Sequence, residues 1–256
     1  FGYDGIEIFA GHYPDKSDPV SGMKYAQTIA EQGKVPVAVA PLSLDVLTCT
    51  RNDRNRSMDT ALTVIESAGR LGIPRLNAMI GWLPNQPDPE RLDGSAIATT
   101  EHFQLAIDLA HTLANAAEAA MVEITLETHM RTIHDTATAV VHILDSVSST
   151  SLRANFDPGN MYSCAHAESP KEAVQQLTKY LTYVHLKNCR NVGGQFDYHW
   201  PLSAGDIDYR SLVQAIIASG FQGPYCIEYS GAGDRDYVSQ RDIEYFRDLI
   251  ADFDVE

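Results

Sequence analysis

The sequence predicts an α/β fold, a (β/α)8 TIM barrel. Three observations carry this. Strand-like and helix-like segments alternate strictly through seven units, which indicates a parallel sheet with helical crossovers. The length of 256 residues suits one such barrel. No strand is followed by a Gly-rich phosphate turn, the mark of a dinucleotide-binding open sheet. With 44% hydrophobic residues and no Gly/Ser/Pro-rich linker, residues 1–256 are expected to bury one core as a single domain.

The units run in order. Gly5–Phe9 (GIEIF) reads as a short strand and Ser21–Gln32 as a helix stopped by Gly33. Val35–Ala40 is strand-like, and helical spacing covers Arg56–Leu71 up to Gly72. Leu76–Trp82 is a strand, followed by a Pro-rich loop and the Ala-rich helix Ala96–Ala120. Val122–His129 is the next strand, and Asp135-Thr136 signals a helix to about Val147. Leu152–Asp157, Tyr183–Lys187 and Tyr225–Tyr229 are strands. They alternate with helices over Pro170–Leu181, Tyr209–Ser219 and Ser239–Phe253. Seven units leave the barrel one short. The chain opens at Phe1 and reaches its first strand within five residues, so a first strand and helix are expected to precede Phe1 and to be absent from this sequence.

Composition narrows the function classes. A net charge of −15, from 34 acidic and 19 basic residues, opposes the phosphate neutralisation that nucleic-acid binding requires. One local Arg or Lys still suffices for a small anionic substrate. Cys49, Cys164, Cys189 and Cys226 form no CxxC pair, so neither a zinc ribbon nor a disulfide framework is indicated. No stretch approaches the ~20 apolar residues of a membrane span, and none of the given residues reads as a signal peptide. A cytoplasmic protein is expected, with homo-oligomerisation left open.

Val122–His129 holds the first site signal. Read with period two, Val122, Ile124 and Leu126 share one face, and Glu123, Thr125, Glu127 and His129 the other. Strands buried on both sides usually read as continuous apolar runs, so this polarity is anomalous. The same parity gathers Arg153, Asn155 and Asp157, then Tyr183, His185 and Lys187, then Cys226 and Glu228, with Glu7 and Asn77 on earlier strands. Polar groups at the carboxyl ends of barrel strands form the active site. Glu127, Asp157, His185 and Glu228 lie at or near such ends, with successive separations of 30, 28 and 43 residues, roughly one βα unit each. Three buried carboxylates and an imidazole repel unless a cation sits among them. This mixed oxygen and nitrogen set suits one divalent metal ion, Mn²⁺, Mg²⁺, Co²⁺ or Zn²⁺. Glu7 and Glu123 are expected in structural ion pairs with arginine, Glu123 with Arg153.

At these residues the chain resembles the sugar-phosphate isomerase/epimerase superfamily, the xylose isomerase-like TIM barrels. The similarity lies in FGYDGIEI (1–8), LETH (126–129), NFDPGN (155–160), HLKN (185–188) and the run from Gly205 to Tyr229. Their order and spacing, more than any one motif, are specific. The resemblance implies that Glu127, Asp157, His185 and Glu228 bind one divalent metal, and that Glu127 and Glu228 flank the substrate carbon as catalytic acid and base. It implies isomerisation or epimerisation of a sugar, sugar phosphate or related hydroxy-ketone by proton transfer through a metal-stabilised enediolate. The multi-zinc endonuclease IV-like relatives carry a His three residues after the corresponding Asp. This chain has Asn160 there, and an amide is a poor zinc ligand, which opposes a DNA-repair role.

The remaining candidates have open roles. His129 is read as a substrate contact or acid, or as a satisfied structural histidine. Lys187 and Arg190 suit a substrate hydroxyl, carboxylate or phosphate, or a surface loop. His12 and Trp82 follow strand ends and are candidates for lining the substrate pocket, Trp82 by one edge of a packed ring. The segment from Asn188 to Gly205, carrying His199 and Trp200, is expected to be a lid loop. The alternative activity is a metal-dependent lyase of the 3-dehydroshikimate dehydratase kind, since LETHMRTIHDT (126–136) is similar to that group's segment. A non-catalytic sugar-binding barrel is the third reading, disfavoured because a binding protein has little need of paired acid and base carboxylates.

Overall fold

The computed structural model describes residues 1–9, 13–83, 93–229 and 231–253. The elements in chain order are β1 (Ile6–Phe9), α1 (Ser21–Glu31), β2 (Pro36–Leu44), α2 (Arg51–Arg70), β3 (Arg75–Ile80), α3 (Thr100–Ala120), β4 (Glu123–Glu127), α4 (Ala137–Val147), β5 (Leu152–Phe156), α5 (Pro158–Tyr162), α6 (Pro170–Leu177), β6 (Leu181–Leu186), β7 (Asn188–Val192), β8 (Gln195–Trp200), α7 (Tyr209–Ala218), β9 (Tyr225–Ile227) and α8 (Arg235–Phe253). Seven strands form one parallel sheet ordered β1-β2-β3-β4-β5-β6-β9. The sheet curls until β6 meets β1 across the interior, where the Tyr183 hydroxyl donates to Glu7 Oε2 at 2.9 Å. This is an α/β TIM barrel with seven strands among the described residues, and β1 and β9 are its edges.

Strand parity divides the two layers. Ile124, Leu126, Ala154, Phe156, Val184 and Leu186 are wholly buried. They belong to one apolar cluster with Leu113 and Ala117 of α3, Val140 and Leu144 of α4, and Val174 and Leu177 of α6. Each such Val, Leu, Ile or Phe side chain contributes roughly 1.5–3 kcal/mol. The alternating positions carry the polar residues. Because this alternation is rigid, the apolar grip of the helices fixes which side chains face the barrel axis.

Several boundaries differ from the sequence expectations, and local hydrogen bonding explains them. The long helix begins at Thr100 rather than Ala96, because Thr99 and His102 form a reciprocal capping box. The second helix begins at Arg51, where the Thr50 side chain accepts from Asp53 N. Residues 188–205 are not an irregular lid. β7 and β8 pair antiparallel around Gly193-Gly194, whose φ values of 63° and 89° suit a two-residue hairpin turn. Asn188 ties the hairpin to the barrel by donating to Leu202 O at 2.7 Å and accepting from Ile207 N at 3.1 Å. A β-carbon on Gly205 would lie 2.0 Å from Asn188 Oδ1, so this approach requires glycine.

The amino-terminal end of the barrel is closed by an ion pair, though not the expected one. Glu123 pairs with Arg75, Nε to Oε1 at 2.7 Å, and accepts from Thr182 Oγ1 at 2.9 Å. The guanidinium also lies 4.8 Å from the centre of the Tyr183 ring. Register is the reason: Glu123 lies opposite Arg75, whereas Arg153 lies opposite Thr125, one inward-facing step further along. The pair is partly buried, its side chains 13% and 24% exposed, so removing one partner costs less than in a fully buried pair, about 1–2 kcal/mol. Arg75→Met is therefore expected to lower the urea-unfolding free energy by about that amount, and Arg153→Met by clearly less. Equal losses would refute the assignment.

Candidate active site

Four strands deliver the site. Glu127 is the last residue of β4, His185 lies in β6, and Asp157 and Glu228 are the first residues beyond β5 and β9. One side-chain atom from each of these four falls within 4.8 Å of all the others. His185 Nδ1 is 3.3 Å from Glu228 Oε2, 3.7 Å from Glu127 Oε1 and 4.0 Å from Asp157 Oδ2. That nitrogen is buried and has no hydrogen-bond partner. A buried imidazole nitrogen aimed at three carboxylates without an aligned bond fits a metal-ligand set. These four residues could hold one divalent ion.

A polar network fixes the carboxylates. Asn77 Nδ2 donates to Glu127 Oε2 at 2.6 Å, and Asn160 Nδ2 to Glu127 Oε1 and Asp157 Oδ2, each at 2.7 Å. Asn77 Oδ1 in turn accepts from Asn155 Nδ2 at 3.0 Å and Thr125 Oγ1 at 3.2 Å. Asp157 caps α5 by accepting from Asn160 N at 2.9 Å, so this five-residue turn brings the Asn160 amide back to both carboxylates. A β-carbon on Gly159 would lie 2.7 Å from Lys187 O, so the turn can approach β6 only with glycine there. Lys187 is buried. Its ammonium lies 2.8 Å from Glu228 Oε1 and 3.3 Å from Asp157 Oδ2, and donates to Asn160 Oδ1 at 3.2 Å.

Burial and charge oppose each other here. Burial works to raise the Glu127 carboxyl, but His185 outweighs it and holds the group well below the usual carboxylate range. Glu228 is less enclosed, its side chain 37% exposed, and the burial it has is outweighed by Lys187 and then His185, which hold the carboxyl low. At Asp157 burial prevails over Lys187, with Glu228 and Glu127 adding to it, and the carboxyl rises to about 7. Burial alone would lower His185; Glu7 and Glu127 override it and hold its proton well above the ordinary histidine range.

The other expected residues are placed as follows. His129, half-buried just past β4, packs edge-on against Trp82 with ring centres 5.2 Å apart, and Trp82 Nε1 donates to Ser43 Oγ at 3.0 Å. Arg190 stands on β7, stacks 3.9 Å over the Trp200 ring and donates to Ala204 O at 2.8 Å. Those contacts bind it to the hairpin and its following loop. His12 lies outside the described residues. Among the described residues Glu7 does not pair with an arginine: its carboxylate meets Tyr183 and His185.

Sequence reasoning passed over His134, which is wholly buried. Its Nε2 accepts from Ile80 N at 2.9 Å and its Nδ1 donates to Glu127 O at 2.6 Å, fastening the ends of β3 and β4. A backbone N–H only donates, so Nε2 must be unprotonated. The one available signal was its place in the segment following Glu127. Burial lowers the imidazole from the ordinary 6.5 to about 4. Between those values the unfolded chain binds the extra proton, so the stability His134 contributes is complete above pH 6.5 and is lost as pH falls towards 4. The difference in unfolding free energy between wild type and His134→Asn should therefore shrink by about 2 kcal/mol from pH 7 to pH 5. A difference that does not change with pH would overturn this.

With the geometry established, comparison with known proteins is direct. Among curated proteins none matches in sequence. A D-tagatose 3-epimerase-like protein of known structure superposes with a TM-score of 0.78 at 18% identity, over 99% of this chain and 91% of that one. A xylose isomerase-like TIM barrel protein from Mycobacterium smegmatis, solved with magnesium, gives 0.72 at 19% identity over 98% and 85%. The probable 3-DHS dehydratase AsbF from Bacillus anthracis gives 0.73 at 15% identity over 96% and 89%. At such identities these structures speak for the fold alone. The family model described as xylose isomerase-like TIM barrel matches residues 1–249. The chain belongs to the xylose isomerase-like TIM barrel family.

Proposed function

We propose that this protein is a divalent-metal-dependent isomerase or epimerase of a sugar, sugar phosphate or related hydroxy-ketone. The observation that carries the proposal is the convergence of the Glu127 and Glu228 carboxylates on His185 Nδ1, 3.7 and 3.3 Å from it. Glu127, Asp157, His185 and Glu228 are the proposed ligands of one ion, Mn²⁺, Mg²⁺, Co²⁺ or Zn²⁺. When bound, the ion supplies Lewis-acid polarisation of a carbonyl and its neighbouring hydroxyl, which acidifies the adjacent C–H. The magnesium complex of the Mycobacterium smegmatis protein supports a metal of this kind.

The remaining steps belong to the chain's own residues. One of Glu127 and Glu228 removes the proton from the activated carbon, and the other delivers a proton to the opposite face or to the neighbouring carbon. Asn77 and Asn160 grip both oxygens of Glu127, so it meets the substrate in one orientation. Lys187 holds one oxygen of Glu228, Nζ to Oε1 at 2.8 Å, and is the proposed cation for a substrate hydroxyl or phosphate. His129, Trp82 and Arg190 are the proposed further substrate contacts. The D-tagatose 3-epimerase-like neighbour supports this chemistry. The second reading, a dehydratase, is favoured by the AsbF likeness and by His129 two positions beyond Glu127, a candidate acid for a leaving hydroxyl.

The purified protein should carry or take up one divalent ion by elemental analysis, and should exchange a carbon-bound proton of at least one ketose in D₂O. Glu228→Gln should slow that exchange ~10²–10⁴-fold. Conversion of 3-dehydroshikimate to an ultraviolet-absorbing aromatic acid would select the lyase. Absence of metal uptake, of exchange and of dehydration would together reject an enzyme of this kind.

A further inference from the structure

We infer that Glu7 is the positioning residue that turns His185 Nδ1 towards the metal, acting through the opposite ring nitrogen. The inference rests on the metal-site reading above and concerns a residue outside the four ligands. Glu7 comes from β1, far from the ligand strands in sequence, and its side chain is only 10% exposed while that of His185 is 3% exposed. Its Oε2 lies 3.1 Å from His185 Nε2 and accepts the Tyr183 hydroxyl at 2.9 Å. The Tyr183 ring meets the His185 ring edge-on at 5.0 Å between centres, so the imidazole is held both by its rim and at one nitrogen.

A metal-binding imidazole must offer a lone pair at one nitrogen, and the proton then resides on the other. Tyr183 donates to Glu7, which leaves Glu7 as the acceptor for Nε2–H. With the proton kept on Nε2, the lone pair falls on Nδ1, the buried nitrogen that has no hydrogen-bond partner and faces Glu127, Asp157 and Glu228. A carboxylate behind the ligand also raises the donor strength of the imidazole, and loss of such a partner typically weakens metal binding 10–100-fold.

The test is calorimetric titration of the metal-free full chain with MnCl₂, for wild type, Glu7→Gln and Tyr183→Phe, with circular dichroism to verify folding. Glu7→Gln should bind Mn²⁺ about 10–100-fold more weakly. The imidazole nitrogen coupling seen by electron spin-echo spectroscopy of the Mn²⁺ form should be changed or lost, a readout a purely structural role would leave alone. Tyr183→Phe should weaken binding severalfold, and decides the matter if Glu7→Gln does not fold. Unchanged affinity and coupling in the folded variants would overturn the inference while leaving the metal site intact. So would a stoichiometry of two Mn²⁺ that falls to one in Cys226→Ser, because Nε2 would then be a ligand itself. Failure of the wild type to bind Mn²⁺ would instead remove the metal-site reading on which the inference stands.

Discussion

Three carboxylates are held against one imidazole nitrogen at the carboxyl end of the barrel, and the polar interior is arranged around making that tolerable. Besides one another, Glu127, Asp157 and Glu228 are met by donors and a cation. Asn77 and Asn160 supply amide hydrogens, and Lys187 supplies positive charge. In a low-dielectric interior an unmatched carboxylate costs several kcal/mol, so each of these contacts is a condition for the others. The three acids are also made unequal: Glu127 and Glu228 are driven down while Asp157 is driven up to about 7.

The barrel separates this chemistry from its own fastening. At the amino-terminal end, Arg75, Glu123, Thr182 and the face of Tyr183 close the interior. Tyr183 then joins the two regions, its ring meeting Arg75 below and its hydroxyl meeting Glu7 beside His185. His134 belongs to the fastening too, since it touches Glu127 only through the backbone carbonyl and ties β4 to β3. β7 begins at the residue after Lys187, so the hairpin that carries Arg190 and Trp200 continues the strand that bears the ligand.

The alternation of apolar and polar side chains along each strand is local and could be read without coordinates. The period-two pattern picks out Glu127, Asp157, His185 and Glu228 because strand geometry sends alternate side chains to one face wherever the strand lies. The βα order follows from equally local signals, the caps and glycine stops that end each helix. Strand parity says which face a residue takes, but not how far along the barrel axis it sits. Glu123 meets Arg75 rather than Arg153 because neighbouring strands are offset in register. Glu7 meets His185 because curling of the sheet brings β1 to β6, a contact spanning 178 residues of chain. The Asn160 bridge and the His134 clasp likewise depend on where one turn and one loop fold back. The sequence by itself determined the barrel and the cast of inward-facing groups; only the tertiary structure decided their partners, because stagger and closure are properties of the whole sheet.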